Sequence, residues 1–212
     1  KSIQYYLDQL ASKNPTPGGG GVAALAGALA CGLLSMTANF TLGKEEYKKY
    51  EAEVAEILSN TENLRKKMAQ LIDEDSLSYQ KVAVASKLPK VSPQEKEKRN
   101  AALQLALKEA TVVPVSICKN SFIGLNLASD LIEKANVNLL DDLSASVILF
   151  ESSFQAALLN ISSNLSRIKD EKFIPLGKGK GIKWENGTEK LCIEIFPSKD
   201  KKEVMIFFYR NK

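Results

Sequence analysis

Apolar positions recur with a helical period along most of the chain and change to strict alternation near its end. Ile3, Tyr6, Leu7 and Leu10 fall at i, i+3, i+4 and i+7 behind Ser2, a residue suited to cap a first helix. The run Asn14-Pro15-Thr16-Pro17 and four glycines, Gly18 to Gly21, stops that helix. A second helix is expected from about Val22 to Leu42, closed by Gly43. It carries no charge on any face, which predicts burial on every face. The third helix, from about Lys44 to Ser86, is amphipathic, with Val54, Ile57, Leu58, Thr61, Leu64, Met68, Leu71, Ile72, Tyr79 and Val82 on its apolar stripe. Ser92-Pro93-Gln94-Glu95 has the form of a capping box with proline at the first helical position. It opens a fourth helix to about Lys134, with a kink expected near Pro114. Asn138, with Asp141 three residues on, starts a fifth helix reaching about Ile168. Helices this long, joined by short loops, predict an antiparallel bundle centred on the two least charged, the second and the fifth.

After Asp170 the period becomes two. Leu191-Cys192-Ile193-Glu194-Ile195-Phe196 and the run from Glu203 to Tyr209 alternate, and Asn186-Gly187 between extended runs is a hairpin signal. Three antiparallel strands are expected at about 180–185, 189–196 and 203–209. The fold class is therefore mainly α: about five long helices in residues 1–169, with a small antiparallel β extension in 170–212. That extension holds ten basic and seven acidic residues and so carries most of the chain's net charge of +4.

Composition narrows the chemistry. The 212 residues are 44% hydrophobic and 25% charged, as in an ordinary globular chain, and a net charge of +4 is too weak to imply nucleic acid. There is no histidine, which excludes Ser-His and Cys-His triads and histidine-containing zinc sites. Acid–base chemistry must come from carboxylates, Lys, Tyr or Cys. Cys31, Cys118 and Cys192 are far apart among apolar neighbours, a pattern of reduced, buried thiols in a cytoplasmic protein. Gly18 to Gly43 is free of charge, but its alanines and glycines make it weakly hydrophobic. Its fully apolar part falls short of the ~20 residues of a membrane span, so a core helix is expected there, and no membrane partner. No basic n-region of a signal peptide precedes it.

Three features could carry function. Gly18-Gly19-Gly20-Gly21-Val22-Ala23 matches G-x-G-x-x-A in form, but a helix precedes it and no βαβ unit follows, so a dinucleotide site is rejected. Four glycines before a helix N-terminus still expose backbone N–H groups suited to an anion or a polar ligand edge; a tight turn allowing close helix packing is the other reading. Asp75 falls on the third helix's apolar stripe, while Asp73 and Glu74 point away. A carboxylate there is costly unless paired or functional, and desolvation would raise its pKa toward values useful for proton transfer. A buried cap or a salt bridge to lysine is the alternative. Finally, Asp142, Ser146, Ser153, Asn160 and Asn164 form a stripe on the fifth helix whose single charge is Asp142, which reads as a lined cavity or a close helix contact.

Several segments resemble, in order, the cyclodeaminase/cyclohydrolase family of folate enzymes. They are Tyr6-Leu7-Asp8-Gln9-Leu10-Ala11-Ser12, Pro15-Thr16-Pro17-Gly18-Gly19-Gly20, Met36 through Lys44 with Tyr47, and Asp73-Glu74-Asp75-Ser76 with Tyr79. Ala110 to Pro114, Asn138 to Asp142 and Ala156 to Leu165 complete the set. The similarity covers about residues 2–168. It departs at Asp141, where the family usually has serine, and at Ala157, where it usually has glycine. The resemblance implies a helical homodimer that binds a tetrahydrofolate derivative near the glycine loop. The implied reaction is ring closure of 5-formimidoyltetrahydrofolate with loss of ammonia, or hydrolysis of 5,10-methenyltetrahydrofolate to 10-formyltetrahydrofolate, with no cofactor or metal. Asp75 and Asp142 are then the expected catalytic carboxylates. Pro17, Gly18, Gly19, Gly20, Tyr79, Ser153, Asn160 and Asn164 are the expected substrate contacts, and Lys44, Lys48 or Lys81 would meet the glutamate tail. A catalytically silent folate-binding relative, or a helical protein-interaction module, is the alternative.

Overall fold

A computed structural model describes residues 2–170, 180–186, 189–197 and 204–205. Residues 1–161 and 162–212 form two compact units. The fold is mainly helical, with five long helices among the described residues: α1 (Ile3–Ala11), α2 (Gly19–Asn39), α3 (Glu51–Ser86), α4 (Pro93–Leu131) and α5 (Leu140–Leu165). Ser2 caps α1 as its sequence suggests, its Oγ accepting from the Tyr5 N–H at 3.1 Å. The capping box at α4 forms in both directions, with the Glu95 N–H on Ser92 Oγ and the Ser92 N–H on Glu95 Oε2. Pro114 is accommodated inside α4 as a buried residue.

The starts of α2 and α3 differ from the sequence expectation, and α2, α4 and α5 each end about three residues early. α2 begins at Gly19, three residues early, because the glycines themselves take up the helix. The stretch before α3 is a 3-10 segment, Glu45–Tyr50, and not part of one long helix. A second 3-10 segment, Val137–Leu139, precedes α5. These turns are tied together by Asn136, whose backbone N–H donates to Thr41 Oγ1 (2.9 Å) and whose side chain donates to the Phe40 carbonyl (3.2 Å). Tyr47 Oη accepts from the Val137 N–H.

α2 packs chiefly on α3, α3 also on α4, and α2 more lightly on α4. α2 and α5 have the largest buried shares of the long helices, as their low charge predicts: α5 buries Leu143, Phe150, Phe154, Ala157, Leu158 and Ile161. α5 joins the other helices through Phe150, seated where Gly124 leaves no Cβ in its way, and through Ser153. Leu34, Met68, Leu71, Leu107, Ile117 and Phe150 are fully buried in this core. α2 is not buried on every face: Leu29 is 53% exposed, and Phe40, just past its end, is 57% exposed. By length and composition alone α2, α4 and the Val137–Leu165 stretch could each cross a membrane, so α2's apolar length was underestimated; 56% of its most apolar window is buried inside the protein. Cys31 and Cys118 are buried free thiols, each pushed up to about 12 by desolvation.

In the second unit, Lys180–Asn186 pairs antiparallel with Glu189–Pro197, Trp184 opposite Leu191, and Val204–Met205 pairs antiparallel with the end of the latter. The complete Asn186-Gly187 turn, the expected strand beyond Met205 and the burial of Cys192 lie outside the described residues.

Candidate active site

Helix N-termini leave N–H groups without intrahelical acceptors, and a glycine cap has no side chain to offer them. At α2 the cap is Gly18, with extended backbone (φ −135°) and no side-chain cap bond. The acceptor comes instead from a neighbouring helix: the Gly21 N–H donates to Asp75 Oδ2 of α3 at 2.9 Å. Gly20 explains why the carboxylate can come so close, because any Cβ there would collide with Asp75. Glycine at this position is a steric requirement of the Asp75 carboxylate. Tyr6 of α1 closes the other side. A Cβ at Gly21 would lie 3.3 Å from Tyr6 Oη and 3.7 Å from Asp75 Oδ2. Asn160 of α5 completes the group, its amide atoms 3.7 and 3.8 Å from the Cβ position of Gly19. Its Nδ2 donates to the Ala156 carbonyl, which leaves Oδ1 on the glycine side able to accept.

The electrostatics follow from this packing. Asp75 makes no salt bridge among the described ion pairs. Its pKa is raised above the ordinary carboxylate value by burial, and the hydrogen bond from Gly21 offsets that only in part. Tyr6 is also raised, first by burial and second by the charge of Asp75. Its hydroxyl oxygen is buried and has no hydrogen-bond partner. A carboxyl group whose protonation burial favours therefore stands beside a buried phenol hydroxyl. Next to them opens a cleft of about 550 Å³, lined by Tyr5, Tyr6 and Gln9 of α1, Pro17 of the loop, and Asp73 and Ser76 of α3. Pro17 follows a cis peptide bond from Thr16.

Of the residues singled out by sequence, Pro17, Gly18, Gly19, Gly20, Asp75 and Asn160 come together here. The glycine loop's role changes: the Gly21 N–H meets an anion supplied by the chain itself, so Asp75 has the capping contact foreseen as its alternative as well as its place beside the cleft. Tyr79, one turn beyond Asp75, is 45% exposed and leaves the apolar stripe. Ser153 is no ligand contact: it is 0% exposed, its Oγ donates to the Ala23 carbonyl at 2.7 Å and pairs with Ser121 Oγ at 2.9 Å. Ser146 is likewise buried on the Leu143 carbonyl, so the middle of the polar stripe is a helix contact and not a lined cavity. Asp142 lies in the first turn of α5, eighteen residues before Asn160. At 1.5 Å per residue that is roughly 27 Å along the helix, so Asp142 does not join Asp75 within one chain. Asn164 falls past residue 161, in the second unit. Lys48 and Lys81 are engaged with Glu45 and Glu109. Reading the pattern missed Tyr6, counted only as a stripe residue; Asp73 points away from the apolar stripe as expected, and from there it lines the cleft. No metal-holding cluster of acidic, Cys or His side chains occurs among the described residues.

Over most of its length the chain is similar to known proteins. The profile of the family described as formiminotransferase-cyclodeaminase matches residues 2–177. A methenyltetrahydrofolate cyclohydrolase of Methylorubrum extorquens is 38% identical over 173 residues, 82% of this chain and 83% of that protein. A formimidoyltransferase-cyclodeaminase of Rattus norvegicus is 26% identical over 81% of this chain, which spans only 32% of that longer protein. Among solved structures, a formiminotetrahydrofolate cyclodeaminase from Thermotoga maritima superposes with a TM-score of 0.73 at 35% identity, covering 82% of each chain.

Proposed function

The chain belongs to the formiminotransferase-cyclodeaminase family, and from that membership we propose that Asp75 and the glycine-capped end of α2 are its catalytic centre. It is a folate one-carbon enzyme acting on a tetrahydrofolate whose one-carbon unit is attached at N5. The observation that carries the site is the half-buried Asp75 carboxyl, raised in pKa, without a cationic partner and beside an open cleft. Both candidate substrates bring a positive charge on the one-carbon unit, and a desolvated carboxylate is the complementary group. Hydrolysis of the methenyl bridge is favoured by the 38% identity to the Methylorubrum cyclohydrolase over 82% of this chain. Cyclisation with ammonia loss is the second reading, favoured by the likeness to the Thermotoga cyclodeaminase.

In either reaction Asp75 accepts a proton from the attacking group, water or N10. The Asn160 Oδ1 and the rim of the Gly18–Gly20 loop would meet donors on the edge of the pterin. The reaction asks for no metal or redox cofactor. The exposed apolar residues Val22 and Leu29 of α2, with Phe40 at its C-cap, support a homodimer that covers them. The stretch from residue 170 onward is assigned to an accessory antiparallel β extension outside the catalytic unit. Cytoplasmic placement fits the two free buried thiols. The test is the loss of methenyltetrahydrofolate absorbance run beside ammonia release from formimidoyltetrahydrofolate. Activity in the first alone assigns the cyclohydrolase, and in the second alone the cyclodeaminase. Tight binding of both folates with neither reaction would leave a silent folate-binding relative.

A further inference from the structure

Buried hydroxyls are almost always hydrogen-bonded, because leaving one unmet forfeits the bond it made with water. Among the described residues Tyr6 is the exception. Its Oη is buried, has no partner, and faces the same small space beside Gly21 as Asp75 Oδ2. The hydroxyl of Tyr47, by contrast, accepts from the Val137 N–H and has an evident structural task. Tyr6 also lines the cleft, so its ring is reachable from the side on which a ligand enters. Nothing in the packing of α1 needs the oxygen. The helix is capped through Ser2, and a phenylalanine ring would fill the same volume.

We propose that Tyr6 is a second catalytic residue, the acid that protonates the nitrogen leaving the one-carbon centre while Asp75 serves as base. This rests on the folate reading above. In hydrolysis of the methenyl bridge, water bonds to the bridging carbon and Asp75 takes one of its protons. The carbon–N5 bond then breaks, its electron pair goes to N5, and the Tyr6 hydroxyl supplies the proton N5 needs. The new carbon-bound hydroxyl loses its proton to become the formyl oxygen, which is the net proton released. The carboxylic acid of Asp75 returns its proton to the tyrosinate. In the cyclising reaction the same pair acts on other atoms: Asp75 removes the N10 proton as N10 bonds to carbon, and Tyr6 protonates the amino group that departs as ammonia. A base and a neutral donor on either side of one glycine perform both sequences, because each needs one proton removed and one delivered at the same carbon.

The test is Tyr6→Phe, assayed with 5,10-methenyltetrahydrofolate and with 5-formimidoyltetrahydrofolate across pH, beside wild type. The expected result is a fall in kcat of about 100-fold or more, the usual scale for losing a proton-transfer group. KM should change little, the melting temperature should be equal or higher, and the alkaline limb of the wild-type pH profile should disappear. Placing 3-fluorotyrosine at position 6 should restore turnover and move that limb to lower pH, which a structural role would not do. An active wild type with an unaltered Tyr6→Phe enzyme, or a slowed variant whose alkaline limb stays in place, overturns the assignment of Tyr6. A wild-type chain that turns over neither folate overturns the folate reading itself, and the inference with it.

Discussion

Asp142 and Asp75 both stand at helix N-termini, and the two are placed there in different ways. Asp142 lies in the first turn of its own helix, α5, where negative charge complements the dipole locally. Asp75 reaches the N-terminus of α2 from a different helix, half-buried against glycine backbone, and its single described hydrogen-bond donor is one N–H. Helix dipole and hydrogen bond both favour the ionised form at Asp75, yet burial outweighs them and the pKa is raised. A charge near a helix end is thus a weak guide to function. A charge brought to another element's helix end with too little compensation, beside a cleft, is a stronger one.

Disturbing the packing that holds Asp75 should break this contrast most severely. Gly20→Ala puts a methyl group into the carboxylate's position. It should cost about 1–3 kcal/mol of stability, the scale of overpacking. It should also cut turnover steeply, since displacing a catalytic group by ~1 Å costs on the order of 100-fold. Urea unfolding and a folate assay on the same preparation check both. Ser153→Ala gives a smaller effect of purely structural kind. It removes the bonds to the Ala23 carbonyl and Ser121 and should cost about 1 kcal/mol with turnover unchanged, whereas Asn160→Ala should raise KM with little change in melting temperature. Asp142→Asn is smaller still. Loss of the dipole interaction is worth about 0.3–1 kcal/mol, and kcat should stay at the wild-type value; a large fall in kcat would restore Asp142 to the active site.

The raised pKa of Asp75 has a consequence for stability. Asp75 has a raised pKa when folded, so the fold prefers its protonated form. Its contribution to stability is present below the unfolded value of about 3.9 and is lost as pH rises through the folded pKa. Wild type should therefore lose stability relative to Asp75→Asn as pH rises through the carboxylate range, as read from parallel urea titrations.

Much of this arrangement was legible before any coordinates. The heptad-like stripe of α3 shows Asp75 out of place among Val54, Ile57, Leu64 and Met68, and the glycine run announces a close backbone approach. The sequence similarity then joins these features to folate chemistry. What periodicity does not show is which helix faces which. The stripe on α5 is real, but its buried part meets Ala23 and Ser121, and its two ends are too far apart to share one ligand. Tyr6 was hidden for the same reason: at i+3 in an apolar stripe it looks like core, and the surroundings of its hydroxyl depend on Gly21, fifteen residues away. The uniform apolarity of α2 likewise hid that Leu29 and Phe40 remain uncovered within one chain.

The central claim, that Asp75 is the site's base and not merely a cap for α2, is tested most directly by the turnover of Asp75→Asn. Asparagine keeps the shape and an oxygen that can accept from Gly21, and it removes a buried charge that lacks a cationic partner. The account predicts a folded protein, melting at or above the wild-type temperature, whose folate turnover has fallen about 100-fold or more. A variant that melts several degrees lower yet turns over folate at the wild-type rate would contradict it, and would make Asp75 a structural cap.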